Sequence, residues 1–461
     1  MNQNMNKKKQ IVIVGLGKTG FSCVRYFVEH GYDKDSIAVI DSRDNPPYLG
    51  QLKQKYPEIT LSLGSLASPL LDTADEIVVS PGITVSEPVF AAGLERGVSM
   101  IGDVELLVRV AKAPIVAITG SNGKSTVTTL VGEMAKLAGI KVKVGGNLGT
   151  PVLDLLDDSA ELYVLELSSF QLETTHSLRA AAATVLNVTA DHLDRYGSFV
   201  DYYAAKWRIY DDCRIAVINR DDPESYEGAQ LPLSAEKIIS FGLQPPDSNN
   251  SFGYREGYLY HGKERLLAAN ELKIKGACQV SNALAALALG YAVDLPLAAM
   301  LSALQQFHGL PHRCQLVLEI NGVIWYNDSK GTNIGATQAA IEGLGADVTG
   351  NRSNGKLILI AGGLGKNADF SVLRLPVARY VKTLIVIGHD ASLIEQALTG
   401  CCKIQQASSM HDAVVMAASE ALVGDVVLFS PACASYDMFN DFEHRGEVFM
   451  EEVRSLSLVV V

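Results

Sequence analysis

Thr119-Gly120-Ser121-Asn122-Gly123-Lys124-Ser125-Thr126 lies between the apolar run Pro114 to Ile118 and a helix-like segment, and its reading decides the rest of the chain. Its glycines let backbone N–H groups turn inward on phosphate oxygens, and the helix that follows adds the positive end of its dipole. Within such a loop Lys124 neutralises phosphate charge and Ser125 faces a magnesium ion. Gly120, Ser121, Asn122, Gly123, Lys124, Ser125 and Thr126 are therefore the candidate nucleoside triphosphate site. Ile118 stands where the commoner form of this loop carries its first glycine, so the stretch is a variant, and the departure narrows the family.

A chain of 461 residues is too long for one ordinary core, and length predicts about three domains. Its 48% hydrophobic and 20% charged residues are those of globular protein. The net charge of −12 excludes a protein built to coat nucleic acid or anionic membrane, while leaving room for a local basic cleft. Seven cysteines, scattered and without a Cys-x-x-Cys pair, predict a reducing cytoplasmic setting. Lys7-Lys8-Lys9 precedes an apolar run that stops at Gly15, which predicts a first strand rather than a signal peptide. No stretch approaches the ~20 apolar residues of a bilayer span, so no membrane partner is expected.

Around the phosphate loop the chain alternates short apolar runs with helical patterns, the rhythm of parallel α/β sheets. Ile11 to Val14, Ile37 to Ile40 and Ile77 to Val79 are the first strands, and Gly15-Leu16-Gly17-Lys18-Thr19-Gly20 is a dinucleotide fingerprint with Asp41 at the spacing of a ribose ligand. That fingerprint reads as nucleotide or phosphate binding against the plainer alternative of a tight turn. A second unit begins near Ile101 and holds strands at Leu162 to Leu167 and Thr184 to Val188. Pro296, Pro311 and a change of pattern set the next boundary near Leu310, and strands at Lys356 to Ile360, Thr383 to Ile387 and Val426 to Phe429 predict a third, open parallel sheet. The expected domains are 1–102, 103–309 and 310–461.

Glu166 closes one central strand and His192 follows another, which brings both toward the phosphate loop. Magnesium takes oxygen ligands, so Glu166 suits it, whereas His192 reads equally as ligand or as hydrogen-bonded core residue. By itself Lys206 reads as a solvated helix lysine. Asp328-Ser329-Lys330-Gly331-Thr332-Asn333 offers either a ribose and carboxylate site or a well-capped turn. Lys366, after the glycine-rich strand end at Gly362, suits an anionic ligand or plain solvation.

In this order, the motifs resemble the Mur ligase family over nearly the whole chain. The resemblance rests on the phosphate loop, Gly146-Asn147-Leu148-Gly149, Glu166-Leu167-Ser168-Ser169-Phe170-Gln171-Leu172, Asp191-His192-Leu193-Asp194-Arg195-Tyr196 and Asn327-Asp328-Ser329-Lys330-Gly331-Thr332-Asn333. Ser430-Pro431-Ala432-Cys433-Ala434-Ser435-Tyr436-Asp437-Met438-Phe439, continuing through Phe442 to Arg445-Gly446, is the most discriminating piece.

The resemblance implies an α/β fold of three domains: an N-terminal Rossmann-like sheet, a central P-loop ATPase-like domain and a C-terminal Rossmann-like domain. It implies a cytoplasmic, monomeric enzyme that spends ATP to join D-glutamate to UDP-N-acetylmuramoyl-L-alanine. On it, Lys18, Thr19, Asp41, Ser42, Arg43 and Gly82 meet the uridine diphosphate part, with Asn147 also toward this substrate. Lys124, Asn147, His192 and Lys206 take catalytic roles; Ser125, Glu166, His192 and a carbamylated Lys206 serve magnesium. Asn282, Arg313 and Asp328 reach the ATP, while Lys330, Thr332, Lys366, Ser435 and Phe442 surround D-glutamate. Cys278-Gln279 stands where relatives often carry His-Asn, and Leu364 replaces a common aspartate.

Rival classes are separable. A nicotinamide-dependent dehydrogenase would use the Gly15 to Gly20 turn but leave the phosphate loop and the Asp328 and Ser430 segments without purpose. A regulatory P-loop protein would show no small-molecule turnover, and a related ligase, including a folate-type polyglutamate ligase, differs in amino-acid selectivity.

Overall fold

The computed structural model describes residues 9–147, 149–189, 195–233, 237–274, 276–351, 355–365 and 368–456. His192 and Lys366, both expected site residues, lie outside them.

Three sheets follow one another along the chain. The first contains β1 (Ile11–Val14), β2 (Ile37–Asp41), β3 (Thr60–Leu63), β4 (Glu76–Val79) and β5 (Ser99–Ile101), in the order β3-β2-β1-β4-β5. Its pairings are all parallel. β1 is apolar at every position because both of its faces are covered: Ile11 and Ile13 enter one core cluster, Val12 and Val14 another. The strand order reverses beside β1, and the crevice beyond its carboxyl end, at Gly15 and Ser80, is where such sheets receive ligands.

The second sheet runs through β6 (Ile115–Thr119), β7 (Val142–Gly146), β8 (Leu162–Glu166), β9 (Ala182–Val185), β10 (Ile215–Asn219), β11 (Ile238–Phe241), β12 (Ser251–Arg255), β13 (Tyr258–His261) and β14 (Glu264–Ala268). β6 lies between β8 and β9, so the phosphate loop leaves the middle of the parallel part. β9 ends at Val185, earlier than the expected strand to Val188; Leu186 to Thr189 instead form an extended rim beside the loop. The antiparallel edge β12-β13-β14 was not anticipated. The third sheet holds β15 (Gln315–Ile320), β16 (Val323–Asn327), β17 (Leu357–Gly362), β18 (Val381–Ile387), β19 (Lys403–Gln406) and β20 (Val426–Phe429) in the order β15-β16-β20-β17-β18-β19. It is parallel except at its β15 edge, which hairpins back on β16.

Ser99–Ile101 pairs with β4 and belongs to the first sheet. One core cluster runs without a break from β1 and the helix Lys18–Glu29 into β6 and β8. The two clusters of the third sheet take no buried residue from before Val323. The first two sheets are thus welded by apolar packing, while the third shares no buried apolar cluster with them and approaches the second at Gly343–Gly276, Gly335–Thr189 and Arg313–Ser125.

Candidate active site

β6 ends at Thr119 and the helix Lys124–Leu137 starts at Lys124, with Gly123 at φ +83, a conformation that suits glycine. A Cβ on Gly123 would also lie 2.5 Å from Asn282 Oδ1, so the loop and Asn282 touch closely. Two reciprocal bonds clamp the loop to the β9 rim: Asn122 N–H donates to Asn187 Oδ1 at 2.8 Å, and Asn187 Nδ2 donates to Asn122 O at 3.0 Å. Ser121 Oγ meets Thr189 O at 3.0 Å and Tyr202 Oη at 3.1 Å. Lys124 Nζ folds over the loop, donating to Gly120 O at 2.7 Å and Ser121 O at 2.9 Å. Ser125 and Thr126 are buried at the start of the helix.

Register places Glu166, the last residue of β8, beside Ile118 of β6. Asn147 Nδ2 donates to Glu166 Oε1 at 2.8 Å, and Asn147 N–H to Glu166 O at 2.8 Å. The other carboxylate oxygen, Oε2, is buried without a hydrogen-bond partner among the described residues. A native buried carboxylate oxygen left in that state calls for an ion or water, and magnesium favours such an oxygen together with the Ser125 hydroxyl. The residues present therefore fit the cation.

Lys206 departs from its surface reading. It sits on the helix Phe199–Trp207, only 2% exposed, with Nζ donating to Gly120 O at 3.0 Å and lying 4.6 Å from the centre of the Tyr202 ring. A lysine on an amphipathic helix is indistinguishable in sequence from a solvated one; the aromatic neighbours Tyr196, Phe199 and Tyr202 are the signal that this face is inward.

From the third domain, Arg313 NH2 donates to Ser125 Oγ at 2.6 Å. The linker that aims it is bent, with Gly309 at φ +91, His312 at +59 and Cys314 at +43. Two non-glycine residues in the left-handed region cost about 1–3 kcal/mol each, and such strain clusters at functional sites. Burial lowers the Arg313 pKa, against the pull of Glu166 and Asp328 nearby. Asp328 is buried, accepting from Cys314 N–H at 3.1 Å and Ser430 Oγ at 2.7 Å, and burial pushes its pKa up to about 6. Lys330 Nζ lies 3.6 Å from the centre of the Phe442 ring. Burial first, then the Arg313 charge, brings Lys330 down to about 8. Ser435 is buried on the turn after β20, which reaches the glycine-rich end of β17 through the Leu364–Ala434 bridge. Thr332 lies in the Asp328 loop after β16, its N–H donating to Lys330 O at 2.8 Å.

In the first domain Lys18, Thr19, Ser42, Arg43 and Gly82 gather at the carboxyl edge of the sheet, all wholly or partly exposed. Asp41, expected as a ribose ligand, engages both its oxygens within the domain. Oδ2 accepts from Leu16 N–H at 2.7 Å and from Arg43 NH2 at 2.7 Å; Oδ1 accepts from Arg43 N–H at 2.9 Å and Nε at 2.8 Å. Burial opposes ionisation, yet these bonds hold its pKa down to about 2. Asp41 thus fixes the fingerprint turn and presents the Arg43 guanidinium.

Four residues at these sites went unrecognised in sequence. Asn187 clamps the phosphate loop, and Ser430 tethers Asp328. Arg195 donates to Pro81 O at 2.7 Å, Ile83 O at 3.1 Å and Glu173 Oε2 at 3.1 Å, pinning the Gly82 loop. Arg445, buried, bonds Ser329 O at 2.8 Å and Cys433 O at 3.1 Å, joining the two third-domain loops. For Arg195, Ser430 and Arg445 the available signal was their place inside the quoted motifs; Asn187 lies in the expected strand Thr184 to Val188 and carried none.

Three family descriptions match successive parts of the chain. The description Mur ligase MurD-like, N-terminal domain, matches residues 9–102; Mur ligase middle domain matches 118–290; Mur ligase, glutamate ligase domain, matches 312–433. The chain belongs to the Mur ligase family. It is 52% identical over 452 residues to the UDP-N-acetylmuramoylalanine--D-glutamate ligase of Pseudomonas syringae pv. tomato, covering 97% of this chain and 98% of the relative. The relative of the same name from Nitrosococcus oceani is 50% identical over 450 residues, covering 96% of each. Among solved Mur ligase structures, the UDP-N-acetylmuramate-alanine ligase of Thermotoga maritima superposes with a TM-score of 0.58 at 19% identity, covering 97% of this chain and 99% of its own. A pseudomurein peptide ligase type C from Methanothermus fervidus gives 0.61 at 18%, covering 97% and 100%. At such identities the likeness concerns the fold, here the three-domain Mur ligase fold.

Proposed function

We propose that this Mur ligase joins D-glutamate to UDP-N-acetylmuramoyl-L-alanine at the expense of ATP, through an acyl phosphate, in peptidoglycan precursor synthesis. The observation that carries the reading is the meeting of Ser125 in the phosphate loop with Arg313 of the third domain, beside Asp328 and Lys330. Relatives at 50–52% identity named for this reaction supply the substrates. Working bounds of 1–102, 103–309 and 310–461 assign the uridine diphosphate, ATP and amino acid to successive domains.

The substrate carboxylate attacks the γ-phosphorus of ATP, forming the acyl phosphate and releasing ADP. Gly120, Ser121, Asn122, Gly123 and Thr126 cradle the triphosphate, and Lys124 leaves its carbonyl partners to neutralise it. Ser125, Glu166 and a carbamylated Lys206 would hold magnesium, with His192 assigned there by family resemblance, and the cation would spread phosphoryl charge. Asn147 keeps Glu166 oriented while facing the substrate. Asn282, Arg313 and Asp328 hold the nucleotide across the domain junction.

Next, the neutral amine of D-glutamate attacks the acyl phosphate, phosphate leaves, and an amide remains. Lys330 pairs with a glutamate carboxylate, Lys366 with the other, and Thr332, Ser435 and Phe442 complete the pocket. Lys18, Thr19, Ser42, Arg43 and Gly82 hold the uridine diphosphate end, with Asp41 behind Arg43. Closure of the third domain excludes water from the acyl phosphate. No described helix is long and apolar enough to cross a membrane, and the proposed setting is a cytoplasmic monomer.

The test is phosphate release from magnesium–ATP and UDP-N-acetylmuramoyl-L-alanine with D-glutamate, with L-glutamate and with neither. Release that requires D-glutamate, with an amide product by mass, is expected. Release indifferent to the amino acid contradicts the proposal.

A further inference from the structure

The helix Lys18–Glu29 starts at the fingerprint turn and presents Lys18, Ser22 and Arg25, spaced four and three apart, along one stripe. All three grip a single segment of the central domain. Lys18 Nζ donates to Gly149 O at 2.5 Å, Ser22 Oγ donates to Asp154 Oδ1 at 2.6 Å, and the Arg25 guanidinium donates to the same Asp154 oxygen. Val152 and Leu153, between these anchors, are buried in the cluster that also holds Phe21 and Val24 of the helix. The segment continues directly from the Glu166 support: Gly146 N–H donates to Thr150 O at 3.0 Å, and Asn147 holds Glu166 through backbone and side chain.

We infer that Asp154 is a positioning residue that couples the N-terminal ligand site to Glu166 at the phosphate site. A ligand diphosphate seated on the amino end of the Lys18–Glu29 helix fixes that helix; the helix fixes segment 149–154 through Asp154; the segment fixes the Asn147–Glu166 pair. The inference rests on the reading of the first domain as the uridine diphosphate site. Occupancy there favours nucleotide with magnesium at the second site, and linkage makes the effect reciprocal.

Calorimetry of the full chain with a uridine diphosphate sugar, alone and with saturating magnesium–ADP, tests it. In the unaltered protein magnesium–ADP tightens the sugar nucleotide at least about 5-fold, the lower range of coupling between sites. Asp154→Ala brings the factor within about 2-fold of unity while each ligand alone binds within about 3-fold of normal, since neither is touched by Asp154. Asp154→Asn keeps the acceptor for Ser22 and retains part of the coupling. Arg25→Gln changes a side chain one-third exposed and weakens coupling without threatening the core, so it carries the test if Asp154→Ala fails to fold. Coupling intact in Asp154→Ala and Arg25→Gln, or absent in the unaltered protein when both ligands bind, overturns the inference. Failure of the unaltered protein to bind any uridine diphosphate sugar overturns the underlying site reading instead.

Discussion

Arg313 and Ser125 are 188 positions apart in the chain and lie on different domains, yet the guanidinium donates to the hydroxyl at 2.6 Å. Ser125 is the loop residue proposed to face magnesium, so Arg313 would give up this contact when the triphosphate binds. Its guanidinium then has phosphate oxygens to pair with, at about 1.5–3 kcal/mol for a hydrogen bond involving a charged group. Arg313→Ala is expected to raise the KM for ATP by about 10- to 100-fold, and Arg313→Lys to recover only part, lacking the planar fork. Steady-state kinetics at saturating amino acid decide it; an unaltered ATP KM would place Arg313 elsewhere.

Glu166 offers one oxygen to Asn147 and leaves the other buried and unpartnered among the described residues. Glu166→Gln keeps an acceptor for Asn147 but removes the negative charge a hard cation needs. The magnesium concentration for half-maximal rate is expected to rise about tenfold or more, with little change in thermal unfolding of the metal-free protein. Equal magnesium dependence in the two proteins would remove Glu166 from the metal site.

Lys330 gives a pH signature. Held near 8, it is charged below that pH and neutral above, so its attraction for a carboxylate weakens as pH rises through about 8. Because the glutamate amine must also lose a proton, the clean readout is binding of a non-reacting dicarboxylate such as glutarate. Affinity should fall toward about tenfold per pH unit above 8, and Lys330→Arg should flatten the curve. The stability sign is opposite: between about 8 and the ordinary 10.5 the unfolded chain holds the proton and the folded one does not. This group's contribution to stability therefore rises with pH in that window. A pH-independent glutarate affinity would sink the assignment.

Much of this was legible in sequence because it was written in local chemistry. β1, β6 and β17 are uninterrupted apolar runs closed by glycine or a small polar residue, and buried parallel strands read that way. The edge β12-β13-β14 was missed because its strands are only four or five residues long and the turn Glu256-Gly257 between β12 and β13 has loop composition. Lys206 and Arg313 expose the harder limit. What makes them site residues is long-range packing onto Gly120 and Ser125, which local pattern does not encode. Asp41 adds what spacing does not encode: its oxygens accept from Leu16 N–H and from Arg43.

Gly20 tests the first domain by sterics. A Cβ there would fall 1.8 Å from Gly15 O, a backbone atom that cannot rotate away. Gly20→Ala must push the Lys18–Glu29 helix off its turn, at roughly 2–3 kcal/mol for overpacking. Denaturant unfolding should show that loss, accompanied by weaker binding of the uridine nucleotide. A variant as stable as the original would mean that the helix shifts freely, contrary to its packing against β1.

Lys206 carries the last prediction. Burying an ammonium is costly, and the Lys206 side chain, 2% exposed, meets the Gly120 carbonyl and the Tyr202 ring beside the proposed triphosphate site. Carbon dioxide adds to the neutral amine to give a carbamate and releases one proton, which replaces a cation with an anion able to serve magnesium. The reaction requires the unprotonated amine, so rising pH and bicarbonate favour it, while acid and degassing oppose it. Removing dissolved carbon dioxide is expected to lower kcat by about tenfold or more, the scale of losing one electrostatic contact at a phosphoryl-transfer site. Bicarbonate should restore the rate. Lys206→Arg preserves the positive charge but forms no stable carbamate, so its rate should be low and indifferent to bicarbonate. If the unaltered enzyme keeps full activity without carbon dioxide, Lys206 acts as an ammonium, and its bond to Gly120 O is then its working contact.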